Sequence, residues 1–203
     1  MIKTIIFDFG DVFINLDKEA TAREMTKFGF EGLSPALFQY IKSYEVGAIS
    51  TSEFISKMLA FFPSATPGAL EKAWKAIILE FPEYRLTYLE ELVREGRFKL
   101  ILLSNTNELH IEEVRKKMGD MRYKRFQSCF DAFYLSHEIG LRKPDSAIYE
   151  FVLKNNKLLA EECLFVDDLK DNTLGAERLG IKTWNLLVGK EDIIMLDRYL
   201  SHV

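Results

Sequence analysis

Near its beginning the chain runs through Thr4-Ile5-Ile6-Phe7, breaks at Asp8 and turns through Phe9-Gly10-Asp11-Val12. The residues before the acid are β-branched or aromatic, the composition of a strand buried on both faces of a parallel sheet. Asp8 then emerges at the carboxyl end of that strand, the edge at which open α/β sheets bind ligands. Gly10 permits a tight turn and a close approach of backbone to ligand. Taken alone, a strand ending in Asp and Gly is an ordinary turn. The rest of the chain changes that balance.

From Lys18 to Phe81 only helical patterns follow. Ser34-Pro35 and Thr66-Pro67 each read as an N-cap with proline at the first helical position, and Ser50 with Glu53 reads as a capping box. The aromatic and aliphatic residues behind them recur at helical spacing and are expected mainly in a core. After Pro82 the pattern changes. A helix ending near Gly96 precedes an apolar run, Phe98 to Leu103, which stops at Ser104-Asn105-Thr106-Asn107. A helix from Glu108 comes next; Met118 to Phe130, polar, basic and irregular, has no clear assignment. Ala132–Leu135, Cys163–Val166 and Ile181–Trp184 read as further strands. Ser146–Leu153, Asn172–Leu179 and Asp192–Tyr199 read as the helices between and after them. This alternation predicts an α/β fold, a Rossmann-like doubly wound parallel sheet with an all-helical cap inserted after the first strand. The expected core is 1–16 with 82–203, and the expected cap is 17–81.

Composition narrows the function classes. The 203 residues are 48% hydrophobic and 29% charged, enough for a sizeable core, and the formal net charge of −4 offers no basic footprint for nucleic acid or an anionic membrane. Two cysteines, Cys129 and Cys163, are too few for a disulfide framework and suit a reducing compartment. No leader pattern precedes the first strand and no apolar run spans a bilayer, so a cytoplasmic protein, compatible with a monomer, is expected. His110, His137 and His202 fall in no motif and are expected on surfaces or helix faces.

Three strands end in polar clusters: Asp8, Ser104-Asn105 and Asp167-Asp168. In a parallel sheet all three share one edge, and a loop carrying Lys143 falls nearby in the order of the chain. Three crowded carboxylates need compensation. A hard divalent cation such as Mg²⁺ provides it through oxygen ligands, and Lys143, directed by Pro144, adds a further charge. Ser104 and the N–H groups around Asn105, at an expected helix start, suit an anion. Together these groups describe a phosphate site containing an Asp nucleophile.

The segments Phe7-Asp8-Phe9-Gly10-Asp11-Val12, Leu103-Ser104-Asn105-Thr106-Asn107, Gly140-Leu141-Arg142-Lys143-Pro144 and Phe165-Val166-Asp167-Asp168 stand in the order of the haloacid dehalogenase superfamily. The chain resembles its phosphatase branch over essentially the whole length, and most of all bacterial sugar-phosphate phosphatases of the glucose-1-phosphatase type. The resemblance implies that Asp8 is nucleophile and metal ligand, with the Gly10 carbonyl and Asp168 as further ligands. It also implies that Asp167 and Asn172 support the magnesium from outside its coordination sphere. Ser104, the Asn105 amide and Lys143 would hold the phosphate, Lys143 bridging it to Asp8. One departure stands out: most phosphatases of this superfamily carry a second Asp two residues after the nucleophile, where this chain has Gly10. Asp11, one residue further on, is not expected to replace it.

The expected activity is Mg²⁺-dependent hydrolysis of a small phosphorylated metabolite, such as a sugar phosphate, through an aspartyl-phosphate on Asp8. Two alternatives follow from the missing acid: a 2-haloacid dehalogenase, which needs no metal, or a protein that binds a phosphorylated ligand with little or no turnover. Asp17 and Glu45 could reach the cleft from the cap side.

Overall fold

The computed structural model describes residues 1–201; His202 lies outside them. After β1 (Thr4–Phe7) come four helices, α1 (Ala20–Met25), α2 (Pro35–Glu45), α3 (Thr51–Phe61) and α4 (Pro67–Lys75). Then follow α5 (Glu83–Glu95), β2 (Lys99–Ser104), α6 (Glu108–Met118), α7 (Asp120–Ser128), β3 (Ala132–Leu135), α8 (Ser136–Ile139) and α9 (Ser146–Asn156). The chain closes with β4 (Cys163–Asp167), α10 (Lys170–Glu177), β5 (Lys182–Asn185) and α11 (Leu196–Leu200). The five strands form one sheet in the order β3-β2-β1-β4-β5, with every neighbouring pair parallel. β1 is central because its side chains are buried on both faces, as its unbroken apolar run requires.

Alternation along the strands divides the core. Ile5 and Phe7 join Leu102 and Val166 on one face, packed against Leu86 and Leu89 of α5, Val114 of α6 and Phe126 of α7. Ile6 joins Ile101, Leu103 and Phe165 on the other, packed against Ile148 and Val152 of α9 and Ala176 of α10. The sheet is therefore covered by helices on both sides.

The insert begins and ends at a backbone tie. The Leu79 N–H donates to the Asn15 carbonyl at 3.0 Å, the Asn15 N–H to the Glu80 carbonyl at 3.0 Å, and the Asp17 N–H to the Ile77 carbonyl at 2.9 Å. Its helices start where the sequence places them. Ser34 and Thr66 accept from the N–H three residues on, each followed by proline, and Ser50 with Glu53 makes the capping box. Their apolar faces meet around Phe54, whose ring stacks on Tyr44 at 4.3 Å and meets Trp74 edge-on at 4.8 Å. Full burial of such a ring contributes roughly 1.5–3 kcal/mol.

Three local expectations change. The unassigned stretch after Met118 contains α7, of which only Tyr123 and Phe126 are buried. Its polar character is explained by Arg122 and Arg125, which reach across to Glu83 and Glu90 of α5. α10 starts two residues before Asn172, because the Asp167 carboxylate accepts the Leu169 N–H at 2.8 Å and turns the chain into the helix early. The closing helix is split into a 3₁₀ turn at Ile193–Met195, capped by Asp192, and α11. No helix among the described residues is long and apolar enough to cross a membrane.

Candidate active site

The parallel register brings the polar clusters to one edge. Phe7 lies opposite both Leu102 and Val166, so Asp8 follows between β2 and β4, its N–H donating to the Val166 carbonyl at 2.8 Å. Ser104 ends β2 and Asp167 ends β4, both buried.

Lys143 reaches this edge from the loop before α9. Its Nζ donates to Asp8 Oδ1 at 2.6 Å and to Asp167 Oδ2 at 2.7 Å, and only 1% of the residue is exposed. The side-chain amide of Asn105 fixes the loop from both sides: Nδ2 donates to the Lys143 carbonyl at 2.8 Å, and Oδ1 accepts the Lys143 N–H at 2.9 Å. From below, α10 packs so closely that a Cβ at Gly175 would lie 2.7 Å from the Pro144 carbonyl oxygen. Asp167 is fully engaged, accepting from Leu169 N, from Asn172 Nδ2 on both oxygens and from Lys143. Asn172 is itself held by the Tyr149 hydroxyl, which donates to its carbonyl at 2.7 Å.

Burial pushes the Asp8 carboxyl up to about 7, against the pull of Lys143 and with the Asp167 and Asp168 charges adding to the rise. Burial opposes the Lys143 charge, but Asp167 and Asp8 outweigh it and hold its ammonium above the ordinary range. Asp168 is raised by burial and drawn back by Lys18. Lys18 is a site residue that sequence reasoning passed over: its Nζ pairs with Asp168 and, at 2.9 Å, with Asp11 Oδ2. No local pattern marks it, since its partners come from the β1 turn and the end of β4.

Asp8, Asp167 and Asp168 offer carboxylate oxygens that all lie within 4.8 Å of one another, the one such cluster of acidic, His or Cys ligands among the described residues. An all-oxygen donor set of this charge fits a hard divalent cation. Because Asp167 already accepts four hydrogen bonds, Asp8 and Asp168 are the better placed of the three to take the ion.

The turn after Asp8 brings the Leu16 side chain over position 10. A Cβ on Gly10 would lie 2.7 Å from Leu16 Cδ1, so a side chain there would require Leu16 to turn aside. Asp11 has φ +54°; its Oδ1 accepts the Leu16 N–H at 2.9 Å and its Oδ2 meets Lys18. Both its oxygens are thus held.

Above the edge lies a cleft of about 150 Å³ lined by Gly10, Leu16, Ser104, Asn105, Glu45 and His110, among others. Of the two cap acids, Glu45 faces it and Asp17 does not. Glu45 is tied to Arg142, beside Lys143, at 2.9 Å, and burial raises its carboxyl against that pairing. Asp17 pairs with Arg23 at 2.6 Å. The Ser104–Asn105 segment stands apart from the helix start: Asn107 is the N-cap of α6, accepting the His110 N–H at 3.1 Å.

His110, expected on a surface or helix face, lies on the face of α6 turned toward the cap, against Trp74 of α4. Asn107 Oδ1 accepts from both His110 N and Trp74 Nε1, which fixes the amide so that Nδ2 donates to His110 Nδ1 at 3.1 Å. Nε2 then carries the proton and donates to the Trp74 carbonyl at 3.1 Å. Burial lowers this imidazole to about 4, so it is neutral at pH 7 with both nitrogens occupied.

The sheet order, the insert after β1 and the acidic cluster at the strand ends define a doubly wound α/β scaffold with a site at its carboxyl edge. The chain matches the haloacid dehalogenase-like hydrolases over residues 2–180 and belongs to that family. It is 28% identical over 190 residues to a D-ribitol-5-phosphate phosphatase of Bacteroides thetaiotaomicron, covering 91% of each chain. It is 29% identical to a haloacid dehalogenase family enzyme of the same organism solved with magnesium and inorganic phosphate. That match has a TM-score of 0.81 and covers 94% of this chain and 97% of the other. Over 100 residues it is 30% identical to a sesquiterpene phosphatase of Aspergillus oryzae, about half of each chain.

Proposed function

We propose that this hydrolase is a Mg²⁺-dependent phosphatase of small phosphomonoesters, with Asp8 as nucleophile. The observation that carries the reading is the buried Asp8–Lys143–Asp167 arrangement, with Asp168 close enough to share a cation. The relative that binds magnesium and phosphate supports it. A dehalogenase would have no use for an acidic ligand cluster beside its nucleophile.

In this reading a carboxylate oxygen of Asp8 attacks phosphorus, the P–O bond to the organic group breaks, and the alkoxide leaves with a proton from water. A water molecule then attacks the phosphorus of the aspartyl-phosphate. The P–O bond to Asp8 breaks, inorganic phosphate departs, and the carboxylate is restored. Lys143 offsets charge on the transferring group and orients Asp8. Ser104 and the Asn105 N–H hold phosphate oxygens. Asp8, the Gly10 carbonyl and Asp168 would hold the magnesium, which would supply further charge neutralisation, while Asp167 and Asn172 fix Lys143 and the turn into α10. Gly10 cannot move a proton and both oxygens of Asp11 are held, so this chain lacks the usual acid–base partner, help typically worth ~10²–10⁴-fold.

We take residues 17–81 as the cap and 1–16 with 82–203 as the catalytic core, a division supported by the backbone tie between 15–17 and 77–80. Relatives act on two different kinds of ester, a pentitol phosphate and a sesquiterpene phosphate. The test is phosphate release from a panel of phosphomonoesters with Mg²⁺, with EDTA, and with Asp8→Asn. The expected result is release that needs Mg²⁺ and falls by at least ~10³-fold in Asp8→Asn. Release that persists in that variant would overturn the assignment.

A further inference from the structure

Beside the cleft at the strand edge lies a second cavity, of about 250 Å³, walled mostly by the helical insert. Glu45, Ile77 and His110 line both spaces, which therefore adjoin each other at these three side chains. Most of the inner wall is apolar: Met25, Leu37, Ile41, Met58 and Phe62 project into it from α1, α2, α3 and the end of α3. The phosphate chemistry belongs to the strand edge, and the neighbouring space is oily.

The polar side chains on the wall decide what can fill it. There are five, and each has a partner in the protein, the Trp74 indole N–H donating to Asn107 Oδ1 at 3.3 Å. Lys18 is paired with Asp168 and also with Asp11, which keeps it engaged when Asp168 takes the ion, and Glu45 is paired through Oε2 with Arg142. The Thr21 hydroxyl donates to the Trp74 carbonyl at 3.4 Å, and His110 uses both ring nitrogens on Asn107 and Trp74. A polyol chain placed here would surrender water at each hydroxyl and find few groups to replace it, an unfavourable exchange for every one. A hydrocarbon chain would lose nothing and would remove apolar surface from water.

We infer that the organic group of the substrate is an apolar alcohol, an alkyl or prenyl chain, lying in the cap cavity with its phosphate at Asp8. This rests on the phosphatase reading above. Taking about 30 Å³ for each water-sized group, the cavity holds roughly eight of them. Specificity therefore comes from chain length and not from hydroxyl pattern.

The experiment measures kcat/KM with Mg²⁺ for n-alkyl phosphates from ethyl to dodecyl, with ribitol 5-phosphate as the polyol comparison. In parallel, the n-alkyl phosphonates of the same lengths, which cannot be hydrolysed, are tested for binding by thermal stabilisation. Each added methylene is expected to raise kcat/KM and phosphonate affinity about threefold to fourfold until the cavity is full near eight carbons. Two variants report on the wall. Leu33, at the mouth, is 58% exposed, so Leu33→Glu leaves the fold intact; it should weaken octyl phosphate about tenfold and ethyl phosphate hardly at all. Ala22→Phe fills the cavity and should move the optimum to shorter chains.

Equal or better turnover of ribitol 5-phosphate, or activity and affinity flat with chain length, would overturn the inference while leaving the phosphatase reading standing. Chain-length-dependent phosphonate binding without phosphate release from any ester would overturn the phosphatase reading and keep the cavity as an apolar-chain site.

Discussion

At the strand edge, Lys143, Asp8 and Asp167 sit within 2.6–2.7 Å contacts, and Asn105, Asn172 and Tyr149 hold them from behind. In the cap, most side chains around the neighbouring cavity are apolar, Met25, Leu37, Ile41, Met58 and Phe62 among them. Titratable groups in both regions are driven toward neutrality by burial: Asp8 upward at the edge, His110 downward under the cap. The edge resists this with counter-charge, whereas His110 yields to it. The difference teaches where each half of the function is stored. Charge placed in pairs fixes where the phosphorus goes, and apolar volume fixes what is attached to it.

The comparison breaks most visibly if Lys143 is replaced by Met. Two buried carboxylates then face each other without their cation, and losing one partner of a buried ion pair typically costs about 3–5 kcal/mol. In a chain of this size the melting temperature is expected to fall on the order of 10 °C. Saturating Mg²⁺ should restore part of it, because the ion supplies the missing positive charge. Phe54→Ala in the cap removes a fully buried ring and should cost a similar ~3–5 kcal/mol. Mg²⁺ should not restore that loss. Thermal melts of both variants with and without the metal check the contrast; equal metal responses would mean that the edge carries no special charge economy.

The same contrast explains what the sequence discloses. Asp8, Ser104 and Asp167 were legible because each interrupts an unbroken apolar strand, and parallel register does the rest. The caps at Ser34, Ser50 and Thr66 were legible because capping is local. Lys18 and His110 were not: Lys18 matters only through Asp168 and Asp11, and His110 only through Asn107 and Trp74, all fixed by the fold. α7 was hidden because its charges are spent on α5 and just two buried aromatics remain to give it a helical period. The cap aromatics were readable as core, but the cavity they leave unfilled is a property of packing.

A pH titration sharpens the comparison at the level of a single proton. The His110 imidazole is neutral in the fold down to about 4, against an ordinary 6.5. The unfolded chain therefore takes up that proton first, so the contribution is fully present above pH 6.5 and is lost as the pH falls toward 4. Its size is about 2–3 kcal/mol, some of the shift being discounted for partial exposure. Urea unfolding from pH 7.5 to 4.5 should show this slope in the wild type and a flatter one in His110→Gln, whatever the absolute stability of the variant. Parallel slopes would show that the imidazole takes up its proton in the folded state as readily as in the unfolded chain.

The smallest expected effect lies at the rim where cap and core meet in open water. Lys75 of α4 pairs with Glu112 of α6 at 2.7 Å, but the glutamate side chain is 64% exposed. Water and salt screen such a pair, and holding two long side chains in one geometry costs entropy, so Lys75→Ala should change stability by no more than about 0.5 kcal/mol. A double-mutant cycle with Glu112→Ala, run at low and at high salt, measures the coupling directly. If the coupling is instead comparable to that of Lys143, charge pairing holds the cap down as firmly as it builds the edge. The division between a charged floor and an apolar roof would then fail at the seam that joins them.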